Sequence, residues 1–277
     1  MAKIISKTEI APDIYSLLVQ APLIAAKARP GQFVILMVRE KGERIPLTIA
    51  DYDRERGTIR MVFEVVGKTT AMLSKLNEGD DLYSLVGPLG IPSEIKHYGT
   101  VTVVGGGIGV APVYPIAREL KRAGNRVIAI IGARSKKLLI MEEEMRSVSD
   151  ELLVTTDDGS YGRKGFVTGP LAELLARGEK IDKIWAIGPA VMMKAVCEVT
   201  KPYGIETITS LNATMLDGTG MCGTCRVTVA GETKFACVDG PEFNGHHVDW
   251  VEFINRLARY KQQEKMAYEL YKSRGDA

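Results

Sequence analysis

Apolar positions over the first hundred residues come in short runs, at 14–19, 33–38, 47–50, 59–66 and 82–86, each bounded by a turn signal such as Ala-Pro, Pro-Gly or Glu-Gly-Asp. Such runs predict strands, and several at this spacing predict a small β-barrel over residues 1–98, with one helix at 69–76. From residue 99 the pattern changes. Continuous apolar runs at 101–104, 127–131, 152–155 and 183–187 alternate with helical spacing at 112–123 and 191–199. Buried strands alternating with helices predict a parallel, Rossmann-like α/β unit over residues 99–210. The remainder, 211–277, forms a third unit with a terminal helix. Residues 226–229 and 233–236 read as a hairpin centred on Gly231, and Asp249 stands where it can cap one long helix over 250–271.

Composition narrows the class. In 277 residues, 36 Lys and Arg face 34 Asp and Glu, which gives no electrostatic case for nucleic acid or anionic lipid. With 45% hydrophobic and 25% charged residues, the chain can bury substantial cores. Met-Ala-Lys-Ile-Ile-Ser-Lys has no apolar signal core, and the uncharged stretch 100–117 is broken by glycines and prolines, so no membrane segment and a cytoplasmic location are expected.

Three of the four cysteines lie in Asp217-Gly-Thr-Gly-Met-Cys222-Gly-Thr-Cys225 and, eleven residues further on, Cys237. Asp217, Cys222 and Cys225 have the plant-type iron–sulfur spacing C-x4-C-x2-C with aspartate in the first place. A [2Fe–2S] cluster takes four anionic ligands, and three thiols and a carboxylate are on offer. Gly218, Gly220 and Gly223 suit a loop wrapped closely round such a group. Counting outward from Gly231 puts Cys225 opposite Cys237, at about 5 Å between Cβ atoms. A zinc site would use the same residues, a disulfide is the third use of the thiols, and Asp217 can equally be a turn residue.

Other segments carry anion chemistry. Arg44-Ile-Pro46-Leu47-Thr48 closes a strand with a cation and a hydroxyl, and Gly67-Lys-Thr69-Thr70 opens a helix whose free amides can take phosphate or simply be capped. It is not a P-loop, because Val62 stands where the first glycine is required. Gly105 to Gly109 form a glycine-rich turn at a helix start, though not in the G-x-G-x-x-G pattern. Strands ending in Asp157-Asp158-Gly159 and Gly188-Pro189 bring further loops to the carboxyl edge of the sheet. Arg134, Lys136 and Lys137 could hold a 2′-phosphate, which favours NADP(H), whereas Asp157 and Asp158 could bond ribose hydroxyls and repel it, which favours NAD(H). Cys197 reads as a core residue, and His246 and His247 as a lead into the last helix.

These units, in this order, resemble the ferredoxin–NADP reductase-type flavoproteins of the branch with a C-terminal [2Fe–2S] domain, which includes the electron-transfer subunits of dihydroorotate dehydrogenase. The resemblance covers nearly the whole chain. It implies FAD, with Arg44 at the pyrophosphate, Pro46 and Leu47 in the same motif and the Thr48 hydroxyl near flavin N5 as the catalytic position. Val65, Val66, Gly67, Thr69 and Thr70 match the second FAD segment. Gly106, Gly107 and Gly109, and Gly188, Pro189 and Met192, match the nicotinamide segments. Asp217, Cys222, Cys225 and Cys237 are the implied cluster ligands. Within the branch the chain resembles the small subunits of NADH-dependent reduced ferredoxin:NADP+ oxidoreductases, also described as sulfide dehydrogenases, a subgroup with aspartate as a cluster ligand, which implies NAD(H), with NADP(H) the alternative. This implies a heterodimer with a larger glutamate synthase-like flavin/iron–sulfur subunit where bifurcation occurs and through which ferredoxin is served. Ile187 stands where the family commonly has cysteine, so no role of that thiol carries over. An electron-transfer subunit of dihydroorotate dehydrogenase or of another NAD(P)H-linked oxidoreductase, and a zinc-stapled binding module, are the alternatives.

Overall fold

The computed structural model describes residues 2–273. Strands β1 (Ala2–Ala11), β2 (Ile14–Gln20), β3 (Phe33–Met37), β4 (Arg44–Asp53), β5 (Thr58–Glu64), β6 (Asp81–Leu82) and β7 (Ser84–Leu89) form an antiparallel barrel sheet in the order β6-β1-β2-β5-β4-β3-β7. Leu17, Val19, Leu36, Ile49, Ile59, Met61 and Phe63 fill it, and helices α1 (Pro22–Ala25) and α2 (Lys68–Lys75) close its sides. One strand was not foretold here, and one reading needs correction. Strand β1 carries little apolar alternation, because most of its side chains are only half-buried or exposed, so its sequence does not announce it. The Arg44 segment opens β4 rather than closing a strand, and pairs Arg44 to Thr48 with Met37 to Phe33.

The second sheet runs β11 (Arg163–Lys164), β10 (Glu151–Thr156), β9 (Arg126–Ala133), β8 (Thr100–Gly106), β12 (Lys183–Ile187), β13 (Thr207–Ser210) and β16 (Glu242–Asn244). All are parallel except β16. Helices cover both faces, so the strands are apolar on both, and period two sorts them. Val101, Val103, Val127, Ala129 and Ile131 pack on α3 (Val110–Arg122) and α4 (Glu142–Ser147). Val104, Ile128, Ile130, Ile184 and Ala186 pack on α5 (Thr168–Ala176) and α6 (Ala190–Thr200). The first of these cores also takes in Ile14, Ala50 and Val62 of the barrel, which seats the two units on each other.

The last segment has a small hairpin, β14 (Arg226–Val229) with β15 (Glu232–Phe235), and then β16, α7 (Trp250–Ala258) and α8 (Lys261–Ser273). Strand β16 leaves this segment to extend the second sheet, which the pattern did not foretell. The long helix is in fact two, interrupted at Arg259 and Tyr260; Asp249 caps α7 by accepting the Glu252 amide at 2.9 Å. One core of Cys225, Cys237, Trp250 and Phe253 also takes in Phe33 and Ile35 of the barrel and Met193 and Cys197 of α6. The cluster segment is thus anchored on both other units.

Candidate functional site

A cavity of about 1000 Å³ lies between barrel and α/β unit. Its barrel wall includes Pro46, Leu47, Thr48, Val66 and Thr70; its opposite wall includes Gly106, Gly107, Gly109, Asp157, Gly188, Pro189 and Met192. The glycines are there for space. A Cβ on Gly109 would sit 2.1 Å from the Ile187 carbonyl oxygen, and one on Gly106 would sit 2.2 Å from the Met192 sulfur. The turn after β8 and the turn after β12 therefore interlock, through backbone at Gly109 and through the Met192 side chain at Gly106, at the carboxyl ends of both strands and the switch point of the sheet.

Some predicted residues stand aside. Arg44 is exposed at the outer end of β4 and does not line the cavity; neither do Val65, Gly67, Thr69 and Asp158. Thr69 is buried with its hydroxyl bonded to Glu43. Thr70 accepts the Val66 and Gly67 amides at 3.0 and 3.1 Å, so its hydroxyl caps the start of α2. The Ser160 hydroxyl and amide hold Asp158 below the usual carboxylate range, and the Ser160 amide bond is 2.9 Å long. Arg134 reaches the cavity, 3.9 Å from Glu64 across the two units. Lys136 turns its ammonium over the Tyr161 ring instead.

In the cysteine loop the Cys225 and Cys237 sulfurs lie 3.3 Å apart and both residues are buried. Burial, then the neighbouring Cys225, pushes the Cys237 thiol up to about 12. The pairing differs from the expected one. Ala230 and Gly231 both have positive φ and make a two-residue turn, so Val229 pairs with Glu232 and Cys225 faces Ala236, whose amide it accepts at 3.1 Å. Cys237 lies one residue beyond, where the strand has ended and the chain turns inward. Cys222 is exposed, and the Asp217 carboxylate accepts the Thr219 and Cys222 amides, each at 2.6 Å. Those bonds, Thr219 first, hold Asp217 at about 2. Among the described residues no three His, Cys, Asp or Glu converge in metal-binding geometry. The donor set still fits a [2Fe–2S] group: two thiols already adjacent, and a third thiol and a carboxylate on one loop with Gly218, Gly220 and Gly223 at positive φ.

The residues 212–249 match the model of the iron–sulfur cluster binding domain of dihydroorotate dehydrogenase B, and 103–198 match the oxidoreductase NAD-binding domain. The chain is 53% identical over 269 residues, 97% of its length and 95% of the other's, to the dihydroorotate dehydrogenase B (NAD(+)) electron transfer subunit homolog of Thermotoga maritima. The chain belongs to the dihydroorotate dehydrogenase B electron-transfer subunit family. Within that family, the Enterococcus faecalis electron transfer subunit is 33% identical over 90% of this chain and 97% of its own. A solved structure of the NADH-dependent reduced ferredoxin-NADP oxidoreductase, described for flavin-based electron bifurcation, superposes at TM-score 0.93 with 52% identity over 98% of both chains. The family carries an NAD-binding domain and an iron–sulfur domain on a ferredoxin reductase-like fold, and this chain is an oxidoreductase electron-transfer subunit.

Sequence reasoning missed Glu242. It is half-buried on β16, accepts the Ser93 hydroxyl at 2.6 Å and the Trp185 indole at 3.3 Å, and so ties barrel end, sheet and cluster segment together. Burial raises its pKa to about 7. It also missed Arg118, which bonds Asp51 of the barrel at 2.6 Å between the Tyr52 and Tyr114 rings. Neither role has a local signal, since Ser93, Trp185 and Asp51 are remote in sequence from the residues they bond. The expected core role of Cys197 matches its burial, which pushes the thiol up to about 12. His246 bonds Thr200 at 2.9 Å.

Proposed function

We propose that this chain is the electron-transfer subunit of an NADH-dependent reduced ferredoxin:NADP+ oxidoreductase, paired with a larger glutamate synthase-like flavin/iron–sulfur subunit in the cytoplasm. The observation that carries this reading is the match over 98% of both chains, at 52% identity, to the bifurcating oxidoreductase structure. Relatives named for dihydroorotate dehydrogenase include the Thermotoga maritima homolog at 53% identity and subunits at 32–33%. A role beside dihydroorotate dehydrogenase is the second reading, favoured by the match of residues 212–249.

FAD, when bound, supplies the conversion between the two-electron chemistry of nicotinamide and the one-electron chemistry of a cluster. The chain's own residues position the exchange. Pro46, Leu47 and Thr48 present one strand of the barrel to the cavity, with the Thr48 hydroxyl as the nearby polar group. Gly106, Gly107, Gly109 and Gly188 let a nucleotide approach backbone amides, and Met192 and Pro189 fill the floor. Asp157 lines the cavity, which supports NAD(H), because a carboxylate there bonds ribose hydroxyls and repels a 2′-phosphate; of the cations that would favour NADP(H), Arg134 lines it too, 3.9 Å from Glu64, and Lys136 lies over Tyr161. Asp217, Cys222, Cys225 and Cys237 are the proposed cluster ligands. Among the described residues no helix is long and apolar enough to cross a membrane.

The mass of the native complex from the source cell tests the partner. A heterodimer with a larger flavin/iron–sulfur chain is expected. A monomer or homodimer with full physiological activity, or a complex with a dihydroorotate-oxidising chain, contradicts the first reading.

A further inference from the structure

A second cavity, of about 210 Å³, opens beside Cys222 between the cysteine loop and α7. Three guanidinium groups line it, those of Arg226, Arg256 and Arg259, together with Thr224 and Tyr260. Arg256 is fixed: it donates to the Thr224 carbonyl at 3.3 Å and stands 3.9 Å from Glu252. Arg226 lies over Gly223, close enough that a Cβ there would come within 2.9 Å of its Nη1. Among the described residues neither Arg226 nor Arg259 forms an ion pair. The cavity is thus cationic beyond what Glu252 offsets. Guanidinium forks match carboxylate and phosphate oxygens bidentately, and cations gathered in a concave wall raise the local anion concentration.

Its position gives it a use. Cys225 and Cys237 are buried, whereas Cys222 is exposed, so the cysteine loop meets solvent at Cys222. Around it stand Met221, 89% exposed, Leu216, 46% exposed, and Tyr260, 49% exposed. Exposed Met and Tyr beside arginines are residue types enriched at protein interfaces.

We propose that this cavity is an oxyanion pocket in which a carboxylate on the acidic surface of an electron-transfer protein seats beside Cys222. The choice of occupant rests on the electron-transfer reading above; the anion chemistry of the pocket does not. Complementary charge at such a site sets encounter rate and register more than it sets bulk affinity.

The test is calorimetric titration of the full chain, with flavin and cluster loaded, using hexaglutamate and, separately, inorganic phosphate. Hexaglutamate should bind, more weakly as salt is raised. Arg226→Gln with Arg259→Gln should weaken that binding by about tenfold or more, since a charge-assisted pair is lost at each site. The Arg226→Lys, Arg259→Lys pair should keep most of it, and unchanged flavin and cluster absorbance shows that the variants are folded. Binding of phosphate without hexaglutamate overturns the carboxylate assignment. Absence of binding by either, or hexaglutamate binding indifferent to the glutamine pair, overturns the pocket. A glutamine pair that moves only the cluster's midpoint assigns the arginines to balancing its charge, and overturns the proposal too. Failure of the electron-transfer reading itself would show separately, as a chain without flavin or cluster.

Discussion

The cavity between barrel and sheet and the cysteine loop beside it are built by opposite means. The cavity is chiefly a backbone construction: Gly109 meets the Ile187 carbonyl so closely that no Cβ fits, and Gly106 lies against the Met192 side chain. The cysteine loop is a side-chain construction of which half is assembled. Cys225 and Cys237 are held together by the hairpin and the core beneath it, while Cys222 and Asp217 sit on a loop whose polar groups satisfy one another. A nucleotide site can be preformed by packing, but a cluster brings its own bonds, and the loop needs only to keep its donors within reach.

Cys237→Ser should have the largest effect. It removes one of the two gathered thiols, so cluster absorbance and iron content after anaerobic purification should be lost, while flavin absorbance stays, because the cavity's walls are untouched. Loss of both chromophores together would mean that the two sites are one folding unit. Next is Gly109→Ala, which drives a methyl group onto the Ile187 carbonyl. Overpacking of this kind costs about 1–3 kcal/mol, and the variant should melt earlier and lose NADH affinity while keeping its cluster. An unchanged melting temperature and affinity would show that the interlock gives way easily.

Much of this contrast can be read in the sequence. The glycine-rich turn after an apolar strand, and the cysteine spacing, are local patterns. What the sequence conceals is register and partnership. The Ala230-Gly231 turn shifts the hairpin by one residue from the symmetric count, and an alanine at positive φ gives no warning of it. Strand β16 is three residues long and pairs with a strand more than thirty residues away, so Glu242 looks like an ordinary surface carboxylate until the fold half-buries it against Ser93 and Trp185. Arg44 shows the converse: a recognisable motif led to it, and the fold leaves it exposed outside the cavity.

Glu242 joins the two regions and contributes a pH dependence of its own. Its folded pKa, about 7, is above the ordinary carboxylate value, so the folded state holds a proton that the unfolded state releases. Its contribution is fully present below the ordinary carboxylate pKa, and stability should fall as pH rises from there to about 7, then level off, by a few kcal/mol at most, at about 1.4 kcal/mol per unit. Glu242→Gln should flatten that slope in denaturant titrations across the range. A slope that persists unchanged places the titration elsewhere.

Asp217→Ala should have a smaller effect than loss of a core thiol. It frees two amides of the loop and removes a proposed ligand, so cluster retention should weaken and the midpoint should move, while Asp217→Cys should keep a cluster with an altered spectrum. Identical spectra, iron content and midpoint in the alanine variant would leave Asp217 as a turn residue alone.

The central claim is that one chain links nicotinamide to an iron–sulfur cluster, and anaerobic titration of the purified chain with NADH, followed by visible absorption, tests it most directly. Flavin and cluster bands should both be present at the start and both bleach as NADH is added, with NADPH far less effective. A colourless protein that contains zinc, or coloured bands that NADH leaves unchanged, would contradict it.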